Sequence, residues 1–405
     1  MANTIKELSA GDVTRKALQI LHNNLIFCKT VDRQYDARFA VSGAKNGGTL
    51  LIREPNQFTV RSGAVMDSQD VTETTQTLTL ATQRGVDINF SSAELTLSLD
   101  DFSERILEPA MSRLAAEVEK IVIQGCTQQV ANFENTTFGT KPVLADVISA
   151  RATLQQGMAP TMGRYLLTDA LAANSIITDS KSLYNSASEI ARQYEQGLIG
   201  TVYGLKHMES ELTYKHTNGS RDDSTPITTI SGIANGDTSF TTTGGDGTLC
   251  VGDVYTIADV YNVNPETKVT TGALKQFVIS TALTCDSTDL YSTYWPIYKS
   301  GAKQNAYAAS WAGSKAIVNV QAGGSGTAST AYTNSLAYQK GAFVFVTADL
   351  ELPRGVDFAY RASVDNISLR LVRQYDVIND QFPCRLDVIF GYKCVRPEWA
   401  VRVCS

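Results

Sequence analysis

From about residue 215 to about residue 332 the chain changes character. Thr, Ser, Gly and Asp crowd this stretch, and short apolar runs break it up. They include Asp253-Val254-Tyr255-Thr256-Ile257, Gln276-Phe277-Val278-Ile279 and Tyr294-Trp295-Pro296-Ile297-Tyr298. Turn signals recur roughly every ten residues, with no helical period between them, which predicts a small β barrel or sandwich. Loop sequence rims it, Asn218-Gly219-Ser220 before and Gly323–Thr327 after. Helix-bearing sequence lies on both sides, so the segment reads as a domain inserted into a parent fold.

The parent starts with an amphipathic helix over 11–27, on which Val13, Ala17, Ile20, Leu21 and Leu25 follow the helical period. A polar, extended stretch leads to about residue 48. Residues 49–61 and 70–82 read as two strands of a long ribbon. The second strand is rich in Thr and charge, so the ribbon cannot bury a core of its own, and an isolated hairpin is marginal in water. Something outside the subunit is expected to hold it. Val86, Ile88 and Phe90, then Leu95, Leu97 and Leu99, alternate as half-buried strands do. Asp101-Phe102-Ser103-Glu104 has the form of a capping box.

A long helix is expected from Pro109 to about 130, with the proline in its permitted first turn. Leu114, Val118, Ile121, Val122 and Gly125 line one face; Arg113, Glu117, Glu119 and Lys120 are assigned to the other. Residues 140–212 alternate helix and strand signals. Leu144–Gln156 reads as a helix stopped by Gly157 and Pro160, Arg164–Leu167 as a strand, and Glu189–Gln196 as a helix. Gly197, Gly200 and Gly204 punctuate the next stretch of chain. After the insertion, Ala342–Val346, the alternating Ile367, Leu369 and Leu371, and the alternating Leu386, Val388, Phe390 and Tyr392 read as strands. Both ends of the chain therefore build the parent, and the fold class is α+β.

Catalytic groups are scarce. The chain has three histidines, His22, His207 and His216, and none lies in a metal-binding or zinc-peptidase spacing. The Gly-rich stretches 43–48 and 323–326 lack the Gly-Lys-Ser/Thr ending of a phosphate loop, and Gly313-Ser314-Lys315 is only a partial imitation. Asp100-Asp101 precedes a helix, where capping is the expected role, and Asp222-Asp223 lies in a polar turn. Seven scattered cysteines without a C-x-x-C pair read as reduced thiols, with Cys384, Cys394 and Cys404 as small core residues. No apolar run approaches the ~18 residues of a membrane span, and the N-terminus lacks the pattern of a secretory signal. A formal charge of −6 disfavours a chain that grips nucleic acid by neutralising phosphates. No cofactor or metal and no enzymatic activity are expected.

The order of parts resembles the major capsid (coat) proteins of tailed bacteriophages, with the Hong Kong 97-type fold. It is most similar to short-tailed-phage coat proteins that carry an inserted β domain. The ribbon at 49–82 is placed like that family's extended loop. Asp100-Asp101-Phe102 with Pro109-Ala110 through Glu119 resembles the turn into the spine helix, and Gln196-Gly197 to Gly204-Leu205 the approach to the central axial strand. Asn334-Ser335-Leu336-Ala337-Tyr338-Gln339-Lys340-Gly341-Ala342-Phe343 resembles a helix-to-strand step after the insertion. Arg385–Gly391 with Val395-Arg396-Pro397-Glu398 resembles the closing strands.

The resemblance implies an N-terminal arm over 1–48, an extended ribbon over 49–85, and a peripheral domain from 86–139 and 340–405. It implies an axial domain over 140–214 and an inserted β domain over 215–332. It also implies hexamers and pentamers of an icosahedral shell around double-stranded DNA, built in the host bacterial cytoplasm with scaffolding and portal proteins, with a decoration protein as a further possible partner. No covalent cross-link is assigned. Arg53, Glu54, Arg61, Asp67 and Arg84 are candidates for intersubunit contacts; Gly197, Gly200 and Gly204 are candidates for hinges or turns. The competing readings are an encapsulin-like compartment shell and a β-rich tail or adhesion protein.

Overall fold

A computed structural model describes residues 10–35, 49–54, 56–58, 60–66, 68, 75–91, 108–135, 141–180, 200–221, 223, 225–229, 232–286, 288–311, 314–320, 329–364 and 367–404. The expected strand over Leu95–Leu99, the capping box at 101–104, the helix Glu189–Gln196, Asp67 and Gly197 lie outside those residues. The chain divides into two compact units. One comprises 1–52, 75–122 and 343–393; the other comprises 53–74, 123–342 and 394–405.

The first unit is built on a mixed sheet. Its strands run in the order Asp32–Tyr35, Phe343–Ala348, Gln381–Cys394, Ile367–Arg373 and Phe358–Val364, and Thr82–Ser91 also pairs with Gln381–Cys394. Phe343–Ala348 is buried at every position, as a central strand covered on both faces should be. The helix Ala10–Asn24 turns Ala17, Leu18 and Leu21 inward. A short helix, Phe27–Thr30, follows it, and Phe27 packs against Phe343 with ring centroids 5.7 Å apart.

The first ribbon strand ends at Arg53, short of the expected residue 61. Only Thr49–Arg53 and Thr75–Thr79 pair as strands among its described residues. Its base is anchored. Leu78 is buried, and Lys393 Nζ donates to the Thr77 carbonyl at 2.9 Å. A Cβ on Gly391 would press on the Thr79 carbonyl at 2.6 Å. Thr82 onward leaves the ribbon for the sheet, because it pairs with Phe390 and its neighbours over ten residues.

The long helix runs Glu108–Gln128, with Pro109 in its first turn as expected. Met111, Leu114, Ala115, Val118 and Val122 are buried. Glu119 departs from the expected solvent face. It is buried, and its carboxylate accepts the backbone N–H of Ile26 at 2.9 Å and that of Phe27. These are orphan donors at the start of the short helix, and Ile26 offers no side-chain cap of its own. One acid thus ties the N-terminal segment to the long helix.

In the second unit a seven-stranded sheet runs Phe133–Glu134, Ala400–Cys404, Ala331–Gln339, Arg164–Thr168, Leu205–Glu209 and Thr201–Val202, with Lys215–Thr217 paired to Ala331–Gln339. The helices Leu144–Gln156 and Ala170–Ser180 cover it through Leu144, Val147, Leu154 and Ile176, packed with Leu166, Leu205, Val401 and Val403. Residues 340–405 therefore divide between two sheets: 343–393 build the first unit and 394–405 close this one. The expected helix-to-strand step after the insertion is a strand, Ala331–Gln339, then a 3₁₀ turn, Lys340–Ala342, then the strand Phe343–Ala348. Pairing with Ala400–Cys404 on one side and Arg164–Thr168 on the other makes Asn334–Gln339 a strand in place of the helix that the resemblance implies.

The insertion is an antiparallel sheet in the order Thr270–Val278, Val254–Val263, Ala316–Asn319, Ile227–Thr229, Asp237–Gly244 and Thr288–Ile297. A bridge between Ile279 and Thr293 joins the two edge strands, so the sheet closes on itself. Barrel is the correct choice between the two expected architectures. Its core is aromatic: Tyr255 meets Tyr291 edge-on and Phe277 face-on, both at 5.5 Å, and Phe240 stacks on Tyr291 at 6.0 Å.

Replacing Glu119 by Ala is expected to cost roughly 1–3 kcal/mol, the penalty of leaving buried donors unmade. Denaturant unfolding of the full chain measures it. Burial is the main influence on the Glu119 carboxyl and raises its pKa, while the two backbone N–H groups and Lys29 oppose the shift. A raised folded-state value means that this group's contribution is fully present below the ordinary carboxylate range. It is lost as pH rises through the raised value. Glu119→Gln should therefore remove that loss, so the variant gains stability relative to the native chain as pH rises from the ordinary carboxylate range through the raised value.

Candidate functional site

Two places in the chain carry side chains that the packing of its units does not explain: the far end of the ribbon, and the root of the barrel.

Between Arg53 and Thr75 the ribbon holds no regular structure among its described residues, and it displays large apolar side chains. Phe58 is 61% exposed, Val60 97%, Val65 84% and Met66 81%. The expectation of a mostly polar ribbon misses this apolar tip, whose residues stand out in sequence only as isolated hydrophobes among polar neighbours. Of the charged candidates, Glu54 lies 3.7 Å from Lys303 Nζ. Arg61 curls back on its own turn and donates to the carbonyls of Gly63 and, at 2.8 Å, Val65. Arg84 donates to the carbonyl of its neighbour Gln83 at 3.1 Å. Arg53 closes the first ribbon strand. These residues are spread along the ribbon and the strand after it, not gathered into one cluster.

Gly204 sits with Tyr203 in a two-residue hairpin turn between Val202 and Leu205, and both have positive φ, +80° and 48°. That is the backbone of a type I′ turn, which needs left-handed conformations at both positions. Gly200 is also left-handed, at +70°, and its carbonyl accepts the N–H of His207 at 2.9 Å.

The barrel enters and leaves through a narrow neck. Asn218 N–H donates to the Thr330 carbonyl, Thr330 N–H to the Asn218 side chain at 2.7 Å, and Ser329 N–H to the Gly219 carbonyl at 3.0 Å. Gly219 fits because it lacks a Cβ; any side chain there would run into the Thr248 carbonyl. Below the neck, the barrel is seated on parent residues. The Gln276 side chain brackets Phe133, accepting from its N–H at 2.6 Å and donating to its carbonyl at 3.0 Å. Trp295 Nε1 donates to the Gln129 carbonyl at the end of the long helix at 2.9 Å. Phe133, Val254, Val278, Tyr332 and Cys404 form the apolar part of the seat.

A buried polar chain runs through this seat. Arg402 has no exposed surface. Its Nη1 donates to the Gly252 carbonyl at 2.7 Å and its Nη2 to the Gln128 carbonyl at 3.4 Å. Gln128 Nε2 donates to the Tyr214 hydroxyl at 3.0 Å, and that hydroxyl lies 3.1 Å from His216 Nδ1. His216 Nε2 lies 2.7 Å from Asp253 Oδ1, with both side chains 1% exposed. Asp253 Oδ2 accepts the N–H groups of Cys250 at 2.7 Å and Gly219 at 3.1 Å. Burial, the largest effect, lowers the Arg402 pKa, while Tyr332, Cys404, Asp253 and Tyr214 work to hold its charge. Nearby, burial brings the Lys275 ammonium down to about 8, against the pull of Glu398.

Asp253, His216 and Tyr214 stand in the order of an acid–base relay, but the relay has nothing to act on. Burial raises the Tyr214 hydroxyl, and the group is occupied at both sides by Gln128 and His216. In sequence His216 and Asp253 stand 37 positions apart, and no spacing rule joins them. The other inner histidine, His207, meets Thr168 Oγ1 at 2.7 Å and is pushed down to about 4 by burial. Among the described residues there is no cluster of His, Cys, Asp and Glu able to hold a metal ion. No helix among them is long and apolar enough to cross a membrane.

An α+β chain with an apolar ribbon end, a long central helix and a seated β barrel has the build of a shell subunit. The family model of the P22 coat protein (gene protein 5) matches residues 12–403, and the chain belongs to that family. It is a tailed-phage major capsid protein, a structural subunit of the virion capsid that assembles with copies of itself.

Among solved structures, the chain is similar to one from Mycobacterium phage Che8, at 12% identity and a TM-score of 0.45, covering 94% of this chain and 90% of that one. It is similar to the asymmetric unit of the bacteriophage PhiM1 mature capsid, at 11% identity and 0.44, covering 94% and 86%. It is also similar to a virus-like particle from Pyrococcus furiosus, at 8% identity and 0.41, covering 96% and 97%. Among curated protein sequences nothing matches it.

Replacing Arg402 by Leu removes a buried cation whose partners stay behind. The expected cost is roughly 1–3 kcal/mol, the penalty of leaving the buried carbonyls of Gly252 and Gln128 without a donor. Thermal or denaturant unfolding checks it.

Proposed function

We propose that the chain forms the hexamers and pentamers of an icosahedral shell that encloses double-stranded DNA and expands from a procapsid. Assembly takes place in the host bacterial cytoplasm around a scaffolding protein and a portal, and the finished shell offers a surface for a decoration protein. In this reading the subunit's role is structural and not catalytic, in keeping with the coat-protein family to which it belongs.

The observation that carries this reading is the ribbon end. Phe58, Val60, Val65 and Met66 are exposed together on a segment with no core. Apolar surface of this kind is stabilised when a neighbour covers it. Around a closed ring each subunit offers its ribbon to the next, a heterologous contact that closes by rotation. In this reading Arg53, Glu54, Arg61, Asp67 and Arg84 supply charge contacts between subunits, each weak alone where exposed. The net charge of −6 suits a wall that must not hold its contents, since the genome has to leave. The proposed domains are an arm 1–48, a ribbon 49–85, a peripheral domain 86–139 with 340–405, an axial domain 140–214 and an inserted domain 215–332. Gly200 and Gly204 act as turn residues, and expansion leaves them unchanged.

Electron microscopy of the expressed chain, with and without its scaffold, tests assembly directly: closed particles are expected. Val60→Asp and Arg61→Glu should each lower particle yield and heat resistance without lowering subunit stability. Normal yield and normal heat resistance in both would remove the ribbon from the contact. Excising 216–331 should reduce the yield of folded subunit, because it bares Phe133, Tyr332 and Cys404 and strands Arg402.

A further inference from the structure

We propose that the His216 junction is a proton-operated latch that holds the inserted barrel on the end of the long helix and loosens on acidification. Hydrogen-bond direction supports the latch, which stands whether or not the chain builds a shell.

Gln128 Nε2 can only donate, so the Tyr214 oxygen accepts from it. In the latched state the tyrosine's own proton goes to His216 Nδ1, which is then the unprotonated nitrogen. Nε2 carries the imidazole proton and donates to Asp253 Oδ1. Each of these three contacts, Gln128–Tyr214, Tyr214–His216 and His216–Asp253, then has one donor and one acceptor, with His216 neutral. Protonating His216 puts a second N–H at Nδ1, aimed at a tyrosine oxygen that already accepts one. The tyrosine proton is then left without an acceptor in a buried site, which is costly.

The charged and titratable groups around the ring act on both sides of this balance. Asp253, on the barrel, favours the imidazolium, so the His216–Asp253 pair itself survives. Arg402, from the last strand, opposes it: the guanidinium binds the carbonyl of Gly252, the residue before Asp253. Acid therefore brings two cations to one carboxylate. The Tyr332 ring lies edge-on to His216 at 5.4 Å, and Tyr214, Cys250 and Cys404 complete the surround; all four are neutral as the medium turns acid. The part that fails is the Tyr214–Gln128 arm, which is the link to the long helix.

Imidazole is the side chain whose charge ordinarily changes between pH 5 and 8. His207 is removed from that range by burial. His22 lies in the other compact unit, on the N-terminal helix. His216 is the imidazole that sits in the junction itself, between Tyr214 and Asp253. Glu398, raised by burial and facing Lys275 of the barrel, is the other group to control for.

Hydrogen exchange of the full-length chain at pH 7.5 and 5.5, corrected for intrinsic rates, tests the latch. Peptides covering 214–221 and 247–254 are expected to lose protection by ~tenfold on acidification, while the aromatic barrel core keeps its own. His216→Gln and Tyr214→Phe should abolish the pH response; His22→Gln and Glu398→Gln should keep it. An equal acid response in His216→Gln, or its loss in Glu398→Gln, would overturn the proposal. Should His216→Gln not fold, the three histidine Cε1–H resonances of the native chain can be titrated. The loosening must then share the midpoint of the resonance that His22→Gln and His207→Gln leave in place; any other midpoint refutes the latch.

Discussion

The second unit is organised around a cation that has no contact with water. Burying a guanidinium is expensive unless its donors are taken up, and Arg402 Nη1 and Nη2 donate to backbone carbonyls from two separate elements, while Nε has no partner among the described residues. One is Gly252, in a barrel turn; the other is Gln128, in the last turn of the long helix. The strand that carries Arg402 is itself placed by pairing with Phe133–Glu134 and Ala331–Gln339. Helix end, barrel and final strand are therefore fixed together, since moving any one of them leaves a charge unsolvated.

The insertion can thus be both self-contained and firmly placed. Its interior is its own: the Tyr255, Phe277, Tyr291 and Phe240 rings fill a closed barrel with no help from the parent. Its seat is shared, through Gln276 on Phe133, Trp295 on Gln129 and Asp253 on His216. The ribbon is the opposite case. Its base is anchored against Gly391, while its far end presents apolar side chains with no interior to enter.

Much of the architecture is readable in the residues. The Leu144–Gln156 helix is found where its period and its Gly157 stop put it, and Pro109 lies in the first turn of the long helix. Other features are not. Glu119 follows the polar face of its helix in every local respect, yet two N–H groups 92 and 93 positions away draw it inside. The resemblance implies a helix-to-strand step at Asn334–Phe343, but strands on either side claim the backbone of Asn334–Gln339. The apolar ribbon end is spread over residues that no period connects.

By itself the sequence determined the periods: where the chain coils, where it extends, where turns interrupt it, and that a Thr- and Gly-rich β segment sits between two halves of another fold. Those are local properties, set by backbone sterics and by the alternation of apolar and polar side chains. Tertiary structure alone decided that the edge strands meet at Ile279 and Thr293, and that His216, Asp253 and Arg402 share one buried site. Closure and charge burial depend on which distant groups come into contact, and the free energy of a buried polar group is defined only once its partner is in place.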